Sequence, residues 1–262
     1  MPTTYTHYRF GDQCRAFLPP EHAAAVDRYR SLYDTGVHGP DLLFYYHPLV
    51  PNRVSALGSR MHRLPARDFF EKARKAGAGE DRQGAMLAYL LGFLSHFVLD
   101  SACHGYVEEA RRELGISHNR LEAFLDAWMM EQDSLNPPRV NRGFSLHPSE
   151  GSAAVIARFY EVPKKQILKA QKGQVWVMNL LYSPRGVKKR MLQGMIRGLH
   201  IPGSFDDLFI EKEIPGECRG AVEKLAELYE RALTEYGPLA RQLTEYLRGA
   251  GSLSERFDRD FE

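Results

Sequence analysis

The chain has 262 residues, 44% hydrophobic and 26% charged, with a formal net charge of +2; these are the proportions of an ordinary globular protein and exclude a disordered, collagen-like or porin-like chain. A chain this long buries about three quarters of its unfolded surface, so it needs neither disulfides nor a structural metal for stability, and one domain is the simplest organisation. The near-neutral total predicts no strong global steering field.

Apolar residues recur at helical spacing in most segments and strand-like alternation is scarce, which predicts an all-α fold. Val26, Tyr29, Leu32 and Tyr33 mark a first helix after Pro19-Pro20, and the Gly- and Pro-rich stretch from Gly36 to Pro51 reads as a loop. A short helix is expected over Asp68–Ala76. From Asp81 to Arg112 helix formers dominate, with Gly84 and Gly92 the weak points, which predicts a central helix of about 45 Å. Its uncharged part, Ala85–Leu99, is too short to cross about 30 Å of hydrocarbon and contains Ser95 and His96, so it is read as a buried helix and no transmembrane segment is expected. Gly115 is a stop signal, and Ser117 an N-cap for a helix running to Asp133. Further helices are predicted over Ser152–Tyr160, Pro163–Tyr182, Gly186–Leu199, Cys218–Tyr236 and Pro238–Arg248. Val222, Leu225, Tyr229, Leu233 and Tyr236 form an apolar stripe. The expected organisation is one helical domain over residues 1–250 and a charged, frayed tail over 251–262.

Nine of the ten histidines lie at or before His147. On one helix, His96 and Asp100 at i and i+4 share a face, and His104 follows one turn later. His118 and Glu122 repeat the spacing on the next helix. Imidazole nitrogen and carboxylate oxygen are ligands for zinc and similar divalent metals, and four-residue spacing lets two of them close on one ion. The bland alternative is a core histidine or a surface charge pair. It is weakened by Asp100, which interrupts a long apolar face where an unpaired charge would cost several kcal/mol. Upstream, His7, Asp41 and His62 could complete a cluster, Asp41 being presented by the Gly39-Pro40 turn. His38 neighbours Asp41 and is read as structural, with a substrate contact as the alternative. His22 is read as a surface residue and His47 as part of a loop. His147 and His200 have no partner nearby in sequence.

Taken in order, His7, Asp41, His62, His96-x-x-x-Asp100, His104 and His118-x-x-x-Glu122 resemble the zinc-dependent phospholipase C group, which is related to the S1- and P1-type nucleases. The resemblance covers about the first 125 residues. It implies a single multi-helix domain of the phospholipase C / P1 nuclease type that holds two or three zinc ions in a cleft. By position, Asp41, His62, His96 and Asp100 would hold one ion, and His104, His118 and Glu122 a second. His7, the terminal amine and a bridging Asp100 would hold the third. There the chain departs from the family's secreted members, which expose an N-terminal Trp where this chain begins Met1-Pro2. The implied activity is hydrolysis of a phosphoric ester by a metal-activated water, with Asp41 and Asp100 as catalytic carboxylates and a phosphoester, including a phospholipid head group, as partner. The alternatives are a nuclease and a helical zinc-binding interaction protein without catalysis.

Residues 162–200 carry nine Lys+Arg and no Asp or Glu, which leaves the rest of the chain at −7 against the total of +2. The block reads first as solvated helical faces, and second as a contact for an anionic surface. Its aromatics are only Trp176 and Tyr182, too few for a base-stacking platform, so nucleic acid is not an expected partner. Phosphate-loop, serine-elbow and dinucleotide motifs are missing. Cys14, Cys103 and Cys218 fit no disulfide or thiolate-zinc pattern, and the N-terminus lacks a secretory signal. A cytoplasmic location is therefore expected.

Overall fold

The computed structural model describes residues 4–81, 84–198 and 207–262, all of them helical or irregular with no strand among them. The helices are α1 (Thr4–Cys14), α2 (Pro20–Arg28), α3 (Arg30–Gly36), α4 (Arg53–His62), α5 (Ala66–Lys75), α6 (Ala85–Leu114), α7 (His118–Gln132), α8 (Glu150–Ile156), α9 (Lys164–Leu181), α10 (Val187–Gly198) and α11 (Gly216–Leu247).

The central helix α6 spans 30 residues, about 45 Å at 1.5 Å per residue. It is apolar and long enough by composition to cross a membrane, but 83% of its apolar window is buried inside the protein. The surrounding helices account for its hydrophobicity. Gly92, a weak point by helix propensity, is the place where α3 crosses: a Cβ on Gly92 would collide with the Tyr33 carbonyl, and one on Gly36 with the Tyr89 carbonyl. Small residues at the crossing let the two backbones approach. Gly115 ends α6 in the left-handed conformation, and the Ser117 hydroxyl caps α7 by accepting from the Arg120 N–H, as the signals in the chain predict.

Several expectations are corrected. The predicted first helix is two, α2 and α3, broken at Tyr29. Helix α1 precedes them and α4 follows, both unforeseen. The supposed loop from Gly36 to Pro51 contains a 3-10 segment, Gly39–Tyr45. The two C-terminal helices are one, α11, which runs through Pro238. His22 is buried, not on the surface, with Nε2 3.3 Å from an Arg248 guanidinium nitrogen. The largest correction is the tail: Leu253, Phe257 and Phe261 are all buried in the main core. Three apolar residues four apart lie among the charges of that segment. The last predicted residue of the Gly186–Leu199 helix, and His200, lie outside the described residues. All three cysteines are buried and unpaired.

Candidate metal centre

Each four-residue step on a helix advances about 40° around its axis, so His96, Asp100 and His104 fan across one face of α6. Helix α7 faces them with His118 in its first turn and Glu122 one turn on. His62 comes from the last turn of α4, Asp41 from the 3-10 segment after α3, and His7 from α1. Eight side chains from five segments thus converge.

Their potential ligand atoms fall into three groups, each with all atoms within 4.8 Å of one another: His7, His96 and Asp100; Asp41, His62 and His96; His104, His118 and Glu122. Asp100 stands at the junction. Its oxygens lie 3.1 Å from His7 Nε2, 2.9 Å from His96 Nε2 and 3.8 Å from His104 Nε2. Asp41 lies 3.0 Å from His62 Nε2, and a single Glu122 oxygen lies 3.1 Å from His118 Nε2 and 3.4 Å from His104 Nε2. All eight candidate ligands are therefore in the cluster. His38 is the near neighbour that joins none of the three groups.

The rings are oriented as well as gathered. His62 Nδ1 is 2.8 Å from the Gly58 carbonyl, His104 Nδ1 is 2.6 Å from the Phe261 carbonyl, and His118 Nδ1 is 2.9 Å from Glu108 Oε1. A carbonyl or carboxylate can only accept, so each Nδ1 carries the proton and each Nε2 turns inward. That is the arrangement in which an imidazole offers its lone pair to a metal.

Electrostatics favour a cation. Burial pushes the Asp100 carboxyl up, but His104, His96 and His7 around it hold it well below the usual carboxylate range. Burial likewise raises Glu122, and the positive charge gathered around it, with His118 and His104 hydrogen-bonded to it, reverses the shift. Asp41 is depressed against the same desolvation by nearby positive charge together with its hydrogen bond to His62. His96 is lowered by burial and so favours its neutral, ligating form, and His38 is pushed down to about 3 for the same reason. His7 Nδ1, His38 Nε2 and His96 Nδ1 are buried with no hydrogen-bond partner, a cost of about 1–3 kcal/mol for each. The His96 Nε2 contact with Asp100 also lacks hydrogen-bond geometry. Imidazole nitrogens left unbonded beside ionised carboxylates form a donor set that suits divalent zinc.

An open cleft of about 480 Å³ reaches this cluster, lined by Asp41, Phe44, His62, Arg63, His104 and His118 among others. A volume of that order accommodates a small-molecule head group.

Sequence reasoning missed the residues that hold this arrangement in place. Asp126 extends the α7 stripe of His118 and Glu122 by one more turn. Its carboxylate accepts from Thr6 N and Thr6 Oγ1, both at 2.8 Å, capping the first turn of the helix that carries His7. Arg142 lies 3.4 Å from the same carboxylate. The i+4 spacing from Glu122 is the one signal that could have marked Asp126. Gly39, at φ +49°, holds its backbone so close to His96 that a Cβ would collide with the ring.

A helical cage of histidines and carboxylates around a cleft defines the class as a candidate metallohydrolase. The family model described as zinc dependent phospholipase C matches residues 6–173, and the chain belongs to that family. Comparisons with curated proteins and with solved structures gave no match.

Proposed function

We propose that the protein is a phospholipase C-like zinc hydrolase that cleaves a phosphoric ester with a metal-activated water. The observation that carries this reading is the set of three rings, His62, His104 and His118, each tied at Nδ1 and turned inward at Nε2 beside an open cleft. Asp41, His62, His96 and Asp100 would hold one ion, and His104, His118 and Glu122 a second. His7 with Asp100 would contribute to a third, whose remaining proposed ligand, the terminal amine, lies outside the described residues. An ion held by these residues would supply the Lewis acidity that lowers the pKa of a water to near 7 and would offset the charge that builds on the phosphate.

The chain's own groups do the rest. Asp100, among three imidazoles, is the shared carboxylate that keeps neighbouring sites in register. Asp41 is ionised and lines the cleft, so it accepts the attacking water's proton as that oxygen bonds to phosphorus. The bond from phosphorus to the leaving oxygen breaks in the same displacement, and the departing alkoxide takes its proton from solvent through the open cleft. Arg63, on the cleft wall, places a cation where the phosphate oxygens enter. On α9, the exposed residues Lys165, Lys169, Lys172 and Trp176 share one face; three cations beside an indole suit the interface of an anionic lipid surface. Phe44 is the aromatic residue among those lining the cleft, which favours a lipid phosphoester over a nucleic acid.

The test is metal analysis of the purified protein followed by turnover on an aryl phosphodiester and on phosphatidylcholine. Stoichiometric zinc with turnover of either substrate is the expected result. Zinc without phosphoesterase activity would favour the non-catalytic module, and a protein free of transition metal would sink both readings. Asp41→Asn is expected to abolish turnover while leaving the fold intact; an unchanged rate removes Asp41 from the chemistry.

A further inference from the structure

The segment after α11 lies outside the family match at residues 6–173, yet it is threaded through the site. The Phe261 carbonyl is 2.6 Å from His104 Nδ1, and the Phe261 N–H donates to the His62 carbonyl at 3.0 Å. The peptide groups on either side of one residue therefore touch two helices that each carry a candidate ligand. The Phe261 ring is buried, 5.7 Å from the His62 ring and 5.9 Å from the His96 ring.

Upstream, the segment is fastened at each turn. The Arg259 carbonyl accepts from Ala66 N at 3.0 Å, Phe257 packs edge-on against Phe70, and Arg67 pairs with Asp258 and donates to the Leu253 and Ser254 carbonyls. Arg256 donates to Ser101 Oγ at 2.9 Å, beside Asp100, and lies over the Phe97 ring.

We propose that Leu253–Phe261 is a positioning strap for the metal centre: through the Phe261 carbonyl it fixes His104 as the Nδ1–H tautomer and so aims Nε2 at the ion shared with His118 and Glu122. The inference rests on the zinc reading above. Its physical basis is that the hydrogen bond at one ring nitrogen decides which nitrogen ligates. His118 receives the same service from Glu108, a side chain on the ligand-bearing helix α6 itself. His104 receives it from a residue 157 positions away.

The decisive measurement is ring-nitrogen NMR on the full chain, zinc-loaded and zinc-free. The expected result is a protonated, hydrogen-bonded His104 Nδ1 in both forms, with the Nε2 signal shifted by metal in the loaded form. Metal on Nδ1, or an Nδ1 proton absent or freely exchanging, overturns the strap while leaving the zinc reading intact. A protein that binds no zinc sinks the zinc reading and with it the strap's role at a metal.

The second arm compares zinc affinities of Phe261→Ala, Phe261→Leu and the remote core variant Ile156→Ala. Phe261→Ala is expected to weaken one zinc site by about 10–100-fold, with the conservative Phe261→Leu near wild type. Ile156→Ala is expected to lower the melting temperature without changing zinc affinity. Equal zinc affinity in Phe261→Ala and Ile156→Ala overturns the proposal; if Phe261→Ala does not fold, the NMR result on the wild-type chain decides.

Discussion

The α6–α7 hairpin and the C-terminal segment build the same candidate metal centre in opposite ways. The hairpin carries five candidate ligands, His96, Asp100, His104, His118 and Glu122, at a strict four-residue spacing. The segment carries none, yet its main chain meets the ring of one of those ligands, His104, and is bonded to the carbonyl of His62 on α4. Ligand identity is a local, periodic property, whereas ligand orientation is set by whatever acceptor the fold brings to the far side of the ring. A site can therefore be read from its ligands and still be incomplete without a segment that contains none.

The contrast breaks most readily at the hairpin. Asp100→Ala removes the carboxylate that three imidazoles share, and turnover is expected to fall by at least about a thousandfold, the effect of losing several kcal/mol of stabilisation. Metal analysis of the variant should show fewer bound ions. Retention of both would mean that Asp100 is not the junction its contacts suggest.

Asp126→Ala tests the support beneath the ligands. It leaves Arg142 without its buried carboxylate and uncaps α1, an expected cost of about 3–5 kcal/mol. Denaturant unfolding of the zinc-free protein measures it directly. A loss below about 1 kcal/mol would show that α1, and with it His7, is held by other contacts.

The acidity of the site separates zinc-free from zinc-loaded protein. In the zinc-free protein His104 is lowered by burial but carried up to about 10 by Asp100 and Glu122. A raised histidine stabilises fully below its unfolded value of about 6.5, and that contribution is lost as pH rises through 10. Depressed Asp100 and Glu122 act in the opposite sense, stabilising above about pH 4 and failing as pH falls. His96 and His38, held neutral by burial, cost stability as pH falls below about 6.5, so zinc-free stability should peak near pH 6.5 and decline towards pH 10. Zinc, which binds neutral imidazole, should remove the alkaline decline. Parallel melting curves with and without zinc check the sign.

Glu108→Gln sharpens the comparison at smaller scale, because Glu108 does for His118 what the Phe261 carbonyl does for His104. The amide can still accept from Nδ1, so zinc affinity should fall only about tenfold, the low end for a group that orients a ligand. A loss equal to that of His118→Ala would make Glu108 a ligand in its own right. The weakest expected effect lies on α9: replacing Lys165, Lys169 and Lys172 with Glu should reduce binding to anionic lipid vesicles, by about 1 kcal/mol per residue, with turnover of a soluble aryl phosphodiester unchanged.

The sequence by itself determined the helical class, the buried central helix, the caps at Gly115 and Ser117, and the eight residues that converge. The helices, their caps and the five residues at four-residue spacing follow from periodicity and local hydrogen bonding, which act over a few residues and so leave a legible pattern, whereas His7, Asp41 and His62 are marked only by the ordered resemblance to the family. The tertiary structure alone decided the rest. Asp126 reads as one more helix carboxylate until Thr6 is seen to rest on it, and Gly92 as a flaw until α3 crosses there. The segment after α11 looks frayed by charge content, because three aromatic or aliphatic residues spaced by four show their worth only when a groove receives them. Which nitrogen of His104 is turned towards Glu122 is settled by a carbonyl 157 residues away, and a main-chain oxygen has no letter of its own in the sequence.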